Sequence, residues 1–195
     1  HAPIIPRGAF PAEKALSSLG ASLTIGIMVT LMEQEQVIVE TNSGEETQRL
    51  GAQLGALLTG DAIITLTGDL GAGKTTFTQG LGAGLGVTGA ITSPTFVLIN
   101  RYRCADGRAL QHADCYRLAN APLEMWDAGL ADLFMGDDVV VVEWADRIPG
   151  LLPPDYLDIV FEHGDGDQRR IALTAHGARY VHLLRQLRLN YAVSD

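Results

Sequence analysis

The stretch from Gly68 to Thr75 reads GDLGAGKT and matches the phosphate-loop pattern of a glycine, four residues and then Gly-Lys-Ser/Thr. Before it, Ala62–Thr67 (AIITLT) is a short apolar run rich in β-branched residues, which predicts a strand buried on both faces of a sheet. After it, Thr75–Leu85 predicts a helix whose N-terminus would face bound phosphates. Because strand, loop and helix follow in the order that the motif requires, the stretch predicts a nucleotide-binding site rather than a chance glycine-rich turn.

The residue types of this loop suit the binding of phosphate groups. Gly71 and Gly73 let the chain curl around phosphate oxygens with its N–H groups inward, where a Cβ would obstruct the approach. Lys74 would place a positive charge beside the β- and γ-phosphates, and the hydroxyl of Thr75 would bind Mg²⁺. The predicted nucleotide-binding residues are Gly68, Asp69, Leu70, Gly71, Ala72, Gly73, Lys74, Thr75 and Thr76.

A second glycine pattern lies downstream, where Gly84–Gly89 (GLGVTG) fits the dinucleotide-binding pattern GxGxxG. In dinucleotide-binding proteins that pattern leaves a strand and opens a helix. Here it follows the predicted helix of the phosphate loop, so we interpret it as a glycine-rich helix exit.

Two carboxylates are candidates for the chemistry. Glu143 ends the run Val139–Val142 (VVVV), and it would lie beside the phosphate loop if the two strands are parallel neighbours, because such strands present their C-terminal ends to the nucleotide. There it could orient the attacking water or hold a metal-bound water, and an ordinary acidic strand end is the alternative. Asp114 ends another predicted strand and could reach the magnesium from a second side. His112-Ala113-Asp114 alone is a weak signal, because exposed His and Asp at a strand end are usually solvated.

Thr92-Ser93-Pro94-Thr95-Phe96 (TSPTF) follows the phosphate-loop helix, where NTPases often carry a segment that senses the γ-phosphate. By composition alone it is only a turn.

Two other kinds of site find no support in the sequence. Neither an Asn-Lys-x-Asp guanine-binding motif nor an Asp-x-x-Gly switch motif occurs in the chain, which counts against a GTPase. His112, His176 and His182 lack the spacing of a zinc site.

The remaining patterns predict a three-layer α/β P-loop NTPase fold with a mixed, partly antiparallel β-sheet flanked by helices. An Asp106-Gly107 turn and the glycine-rich segment 163–167 predict two antiparallel hairpins. The further predicted strands are Gln36–Thr41, Phe96–Tyr102, Ala109–Asp114, Tyr156–Glu162 and Arg169–Thr174. The further predicted helices begin after a Ser43 cap and span Pro122–Phe134 and Ala178–Leu189.

The length of 195 residues predicts one domain, which we place at residues 33–195, after a loosely ordered N-terminal extension at residues 1–32. Within the extension, Ala15–Met32 carries no charge, so a signal-peptide core or a marginal membrane span stays open as an alternative. Seven of these eighteen residues are Ser, Thr or Gly, and no cleavage-like boundary follows, which favours the extension over both alternatives.

Charge and cysteine content indicate the setting in which the protein works. The formal net charge is −9 without a basic block, so the chain gains no counterion-release affinity for nucleic acid and a protein partner would hold any RNA. Cys104 and Cys115 have neither CxxC spacing nor further cysteines to pair with. They predict two reduced thiols in a cytoplasmic protein. We also expect no membrane partner.

Taken in order, GDLGAGKTT (68–76), TSPTF (92–96), HADCYRL (112–118) and VVVVEWADR (139–147) resemble the TsaE family, the bacterial ATPases of tRNA threonylcarbamoyladenosine synthesis. The order and spacing are more specific than any one motif, and the similarity runs from about Gln36 to Thr174. Cys115 departs from the apolar residue expected in many relatives, which puts no catalytic residue in doubt.

The resemblance implies ATP bound by the Gly68–Thr75 loop, Thr75 and Glu143 around the magnesium, and a second important carboxylate at Asp114. It implies a Glu-Trp pair that includes Trp144 and a switch-like loop formed by Thr92, Ser93, Pro94 and Thr95. It also implies slow, partner-dependent hydrolysis together with TsaB and TsaD, which carry the threonylcarbamoyl transfer to adenosine 37 of tRNA.

Two other functions stay open at this point. A small-molecule kinase shares the phosphate loop but needs an acceptor pocket and usually a lid with clustered arginines. Arg101 and Arg103 instead fall on a predicted strand or directly at its end. A nucleotide switch would bind ATP only to set a partner interface, and Glu143 speaks against it.

Overall fold

The computed structural model describes residues 35–94, 99–116, 130–148 and 150–192. Within these ranges, seven strands lie at Gln36–Thr41 (β1), Ala62–Gly68 (β2), Ile99–Arg103 (β3), Ala109–Asp114 (β4), Val139–Glu143 (β5), Tyr156–His163 (β6) and Arg169–His176 (β7). The helices are Gly44–Leu57 (α1), Lys74–Gly84 (α2), Leu130–Leu133 (α3) and Ala178–Ala192 (α4), with a 3₁₀ turn at Ala145–Arg147. The predicted extension at residues 1–32 lies outside the described residues, as do Thr95 and most of the predicted helix Pro122–Phe134.

All seven strands join one sheet in the order β1-β7-β6-β2-β5-β4-β3. Strand β2 pairs in parallel with both β5 and β6, and β4 pairs in parallel with β5. The pairs β1–β7, β6–β7 and β3–β4 are antiparallel. The predicted mixed sheet and both predicted hairpins are therefore confirmed, and the strand that leads into the phosphate loop lies at the centre of the sheet.

The side chains of the central strands alternate between two cores, as the two-residue period of a strand requires. Ile64 of β2 and Val141 of β5 belong to a core that includes residues of α1, α2 and α4. Their neighbours Ile63 and Val140 face a smaller core on the other side of the sheet, with Leu133 of α3. Helices and sheet thus form the predicted layers, and no helix among the described residues is long and apolar enough to cross a membrane.

The start of α1 follows the predicted capping chemistry. The side chain of Ser43 accepts a hydrogen bond of 3.2 Å from the backbone N–H of Glu46. The carboxylate of Glu46 reaches back to the backbone N–H of Asn42 at 2.7 Å, which satisfies a second donor at the helix start. These two bonds fix where the chain turns from β1 into α1.

Helices α1 and α2 approach each other so closely that only glycine fits at four positions of the contact. A Cβ at Gly51 or Gly55 of α1 would overlap backbone atoms of α2, and a Cβ at Gly80 or Gly84 of α2 would overlap backbone atoms of α1. The contact holds α2, whose first residue is Lys74, firmly against its neighbour. The glycine-rich exit of α2 is also as predicted, because Gly86 has a positive φ of 73° directly after the helix.

Gly80→Ala is expected to lower the melting temperature by several degrees. The new methyl group would lie 2.7 Å from the carbonyl carbon and 2.8 Å from the Cα of Gln48, and backbone atoms cannot rotate away. Overpacking of this kind costs about 1–3 kcal/mol, more than alanine gains in helix propensity. Thermal unfolding followed by circular dichroism measures the effect. Gly60→Ala is the control, because its Cβ would meet nothing within 4 Å, and an equal melting temperature in both variants would contradict the close contact.

Candidate active site

The phosphate-loop segment joins the end of β2 to the start of α2. Gly71 and Gly73 have φ angles of 81° and 106°, a backbone region that favours glycine over any residue with a Cβ. Helix α2 begins at Lys74 without a side-chain cap on its N-terminus. The N–H groups of its first turn therefore stay available to an anion, which the helix dipole also favours.

Lys74 is buried in this loop, with 4% of its surface exposed. Its ammonium group donates to the backbone carbonyls of Gly68 at 2.7 Å and Asp69 at 2.8 Å, and it lies 3.9 Å from the centre of the Trp144 ring. Burial lowers the pKa of Lys74, although the negative charges of Glu143 and Asp114 act in the opposite direction. Within the described residues the ammonium forms no ion pair with a carboxylate.

Glu143 lies beside the loop because β5 is the parallel neighbour of β2. The register pairs Leu66 with Glu143, so both strands end at the same edge of the sheet. The Thr75 hydroxyl donates to Oε1 of Glu143 at 2.8 Å, and 3% of the glutamate surface is exposed. The prediction that Glu143 lies beside the phosphate loop required β2 and β5 to be parallel neighbours, and they are.

Asp114 reaches the same edge from the next strand, since β4 pairs in parallel with β5 and places Asp114 opposite Glu143. Its Oδ1 accepts from the backbone N–H of Tyr116, and its Oδ2 accepts from the hydroxyl of Ser93, both at 2.9 Å. The segment that contains Thr92, Ser93 and Pro94 is therefore tied to the site through Ser93. Thr95, the fourth residue of the predicted switch-like loop, lies outside the described residues.

His112 is the residue that the sequence interpretation undervalued. Residues of this kind at a strand end are usually solvated, but His112 is fully buried and Asp114 is 5% exposed. The Nε2 atom of His112 lies 2.9 Å from Oε1 of Glu143. Strand β4 pairs with β3 on one side and β5 on the other, so neither of its edges is open and the predicted site residue Asp114 lies within the sheet. The signal that was available is the spacing of two residues, which places His112 and Asp114 on one face of β4.

Trp144 follows Glu143 in a strained backbone conformation. Its φ of 60° is the only positive φ of a non-glycine residue in the described part of the chain. Its backbone N–H donates to the carbonyl of Leu66 at 2.8 Å, which holds the residue against β2. The ring centre lies 5.0 Å from that of Tyr116 and 5.1 Å from the guanidinium carbon of Arg147. The indole thus forms one wall of the site, with its face toward Lys74.

These side chains surround one cavity of about 340 Å³. Its lining consists of Leu70, Gly71, Gly73, Lys74, Thr75, Thr76, Ser93, Asp114, Tyr116, Glu143 and Trp144. Most of the predicted site residues therefore converge, although Leu70 points outward with 78% of its surface exposed. In the described ranges no cluster of three or more His, Cys, Asp or Glu side chains is arranged to hold a metal ion. The lining of the cavity instead combines two carboxylates, several hydroxyl groups and one ammonium group, a set that suits a phosphate chain accompanied by a hard cation.

The two cysteines are expected to resist thiol reagents while the protein is folded. Both are free and buried, and burial raises the pKa of Cys115 to about 12 and also raises the pKa of Cys104. Because the thiolate is the reactive form, neither residue should react rapidly with Ellman's reagent at pH 8. Both should react after unfolding in guanidinium. Rapid reaction of either thiol in the folded protein would contradict its buried position.

The comparisons with known proteins agree with this geometry. The family model described as "Threonylcarbamoyl adenosine biosynthesis protein TsaE" matches residues 41–171. The tRNA threonylcarbamoyladenosine biosynthesis protein TsaE of Bacillus subtilis is 40% identical over 162 residues, which cover 83% of this chain and 99% of that protein. Its counterpart in Streptomyces coelicolor is 42% identical over 139 residues, or 69% of this chain and 93% of that protein.

A solved structure shows the same architecture. The crystal structure of Bacillus subtilis YdiB superposes with a TM-score of 0.69 at 37% identity, over 80% of this chain and 97% of that one. The family match spans the loop, both carboxylates and Trp144, the residues that line the cavity described above. The chain therefore belongs to the TsaE family.

Proposed function

We propose that this protein binds ATP with Mg²⁺ in the cavity at the phosphate loop and hydrolyses it slowly, as the ATPase component of the machinery that makes threonylcarbamoyladenosine at position 37 of tRNA. TsaB and TsaD are the proposed partners. Membership of the TsaE family supports the pathway, because the family model and the relatives are named for threonylcarbamoyladenosine biosynthesis.

The burial of the Lys74 ammonium group is the observation that carries the proposal. A buried ammonium group is costly unless it is paired, and among the described residues this one has two carbonyl oxygens and an indole face as partners but no carboxylate. A phosphate chain would supply the missing negative charge at the uncapped N-terminus of α2, where backbone N–H groups also bind anions. The residues present therefore fit the polyphosphate of a nucleotide.

The oxygen groups nearby fit Mg²⁺. This ion is usually held by one or two carboxylates together with substrate phosphates and water. We assign the hydroxyl of Thr75 and the carboxylates of Asp114 and Glu143 as the groups that would hold it or its water shell. When bound, the metal would neutralise charge on the phosphates.

Each side chain then has a separate task in hydrolysis. The loop N–H groups and Lys74 bind and orient the phosphates, and Glu143 accepts a hydrogen bond from the attacking water and orients it. Trp144 covers one side of the cavity and limits the access of bulk water. Ser93 connects Asp114 to the switch-like loop, so we assign that loop the task of responding to the nucleotide.

The net charge of the chain supports the proposal that its partners bind the tRNA. A formal net charge of −9 disfavours direct binding of tRNA by this chain. We place the protein in the cytoplasm, where ATP and tRNA are available.

A single assay tests the proposal. Phosphate release from ATP is measured for the full chain alone, with TsaB and TsaD, and with both partners and tRNA. Slow release that the partners stimulate is the expected result. A chain that transfers phosphate to an added metabolite panel would be a small-molecule kinase, and a chain that binds ATP without any release in the complex would be a nucleotide switch.

A further inference from the structure

We propose that His112 is a positioning residue that holds the carboxylate of Glu143 in the orientation needed for hydrolysis, through the buried contact between its Nε2 atom and Oε1 of Glu143. The inference rests on the proposed function, because it concerns the residue to which we assign the orientation of water.

The direction of the hydrogen bond between His112 and Glu143 is defined. An ionised carboxylate can only accept hydrogen bonds, so the hydrogen lies on Nε2 of His112 and is donated across 2.9 Å to Glu143. The other ring nitrogen, Nδ1, is buried and has no hydrogen-bond partner among the described residues. An apolar side chain in this place would avoid that unsatisfied buried atom. Stability alone therefore does not account for a histidine here, whereas the bond to Glu143 does.

The two side-chain donors to Glu143 in the described part of the chain differ in their other assigned tasks. In the structure, Oε1 of Glu143 accepts from both Thr75 and His112. The Thr75 hydroxyl is also assigned to the metal, whereas His112 does not line the cavity and has Glu143 as its side-chain partner. Because His112 is fully buried, the packing around it restricts its ring, which acts as a fixed support for the carboxylate.

Two substitutions separate this role from simple packing. The amide nitrogen of glutamine in His112→Gln can reach the place of Nε2, whereas the shorter side chain of His112→Asn cannot. Since misplacing a catalytic group by about 1 Å can cost about 100-fold in rate, we expect His112→Asn to lower partner-stimulated turnover at saturating ATP by about 10- to 100-fold. His112→Gln should recover most of that loss. The affinity for ATP and Mg²⁺, measured by calorimetry, should stay near the wild-type value in both variants.

The controls distinguish failure of this inference from failure of the proposed function. His182→Asn changes an exposed histidine of α4 in the same way and should leave turnover unchanged. If the wild-type chain neither binds nor hydrolyses ATP, the proposed function fails before His112 is considered. If the wild type is active, unchanged turnover in His112→Asn, or an equal loss in both His112 variants, overturns the positioning role.

A measurement on the unmodified side chain covers the case in which the His112 variants do not fold. In the full chain with ¹⁵N-labelled histidine, NMR should show His112 with its hydrogen on Nε2, and that signal should shift in Glu143→Gln. It should persist when a non-hydrolysable ATP analogue and Mg²⁺ are added. A hydrogen on Nδ1, or loss of the Nε2 signal on loading, would overturn the inference.

Discussion

Glu143→Gln is expected to lower partner-stimulated ATP hydrolysis by about 100- to 10,000-fold, the range typical of general-base and positioning groups. The substitution keeps the shape of the side chain but removes its charge and its ability to accept a proton. The amide oxygen can still accept from Thr75 and His112, which now donate to Glu143 at 2.8 and 2.9 Å, so the local packing should persist. The affinity for ATP should change much less than turnover, because the loop and Lys74 remain intact.

Paired measurements test this prediction: nucleotide affinity by titration, and phosphate release with the partners present. Glu162→Gln is the matched control, because Glu162 is exposed and pairs with Arg170. Near-normal turnover in Glu143→Gln would remove Glu143 from the mechanism and pass the role to Asp114. Loss of binding together with turnover would make Glu143 chiefly a metal-site residue.

Lys74→Ala should abolish tight ATP binding. The change leaves the phosphate charge compensated by backbone N–H groups alone, because Lys74 is the one lysine or arginine in the Gly68–Thr76 loop. A hydrogen bond to a charged group is worth about 1.5–3 kcal/mol, and each 1.4 kcal/mol is tenfold in affinity. The loss of more than one such bond predicts a weakening of about 100-fold or more, measured by calorimetry of ATP with Mg²⁺.

The control for Lys74→Ala removes a positive charge away from the cavity. Arg170→Ala deletes an exposed guanidinium that pairs with Glu162, and it should leave ATP affinity unchanged. Circular dichroism of Lys74→Ala should still show the native fold, because the buried ammonium group has no carboxylate partner in the described ranges and burying an unpaired charge does not stabilise a fold. An unchanged affinity in Lys74→Ala would mean that the loop is not the nucleotide site.

Much of the fold could be predicted because its signals are local. The Ser43 cap acts within four residues, the Asp106-Gly107 turn joins adjacent strands, and the glycine pattern of the loop needs only its own backbone geometry. The predicted strands agree with β1, β2 and β4 to within a residue at either end. In contrast, β6 and β7 continue one or two residues beyond their predicted ends, because pairing with each other extends them.

The burial of His112 and Asp114 was not predicted, because it depends on the neighbours of β4. Those neighbours are β3 and β5, and β5 begins 25 residues after β4 ends. A pattern of alternating residues shows which side chains share a face but not which strands lie beside them in the sheet. The backbone of Trp144 is a similar case, since its positive φ is fixed by a hydrogen bond to Leu66 of another strand.

The sequence by itself therefore determined the phosphate loop, the order of strand, loop and helix, and the family to which the chain is similar. These features depend on residue types within short segments, where backbone freedom, capping and hydrophobic period act directly. The tertiary structure decided which groups meet: Glu143 with Thr75 and His112, Asp114 with Ser93, and Lys74 with Trp144. These contacts join segments far apart in the chain, and they form only when the parallel pairing of β2, β5 and β4 brings their C-terminal ends to one edge of the sheet.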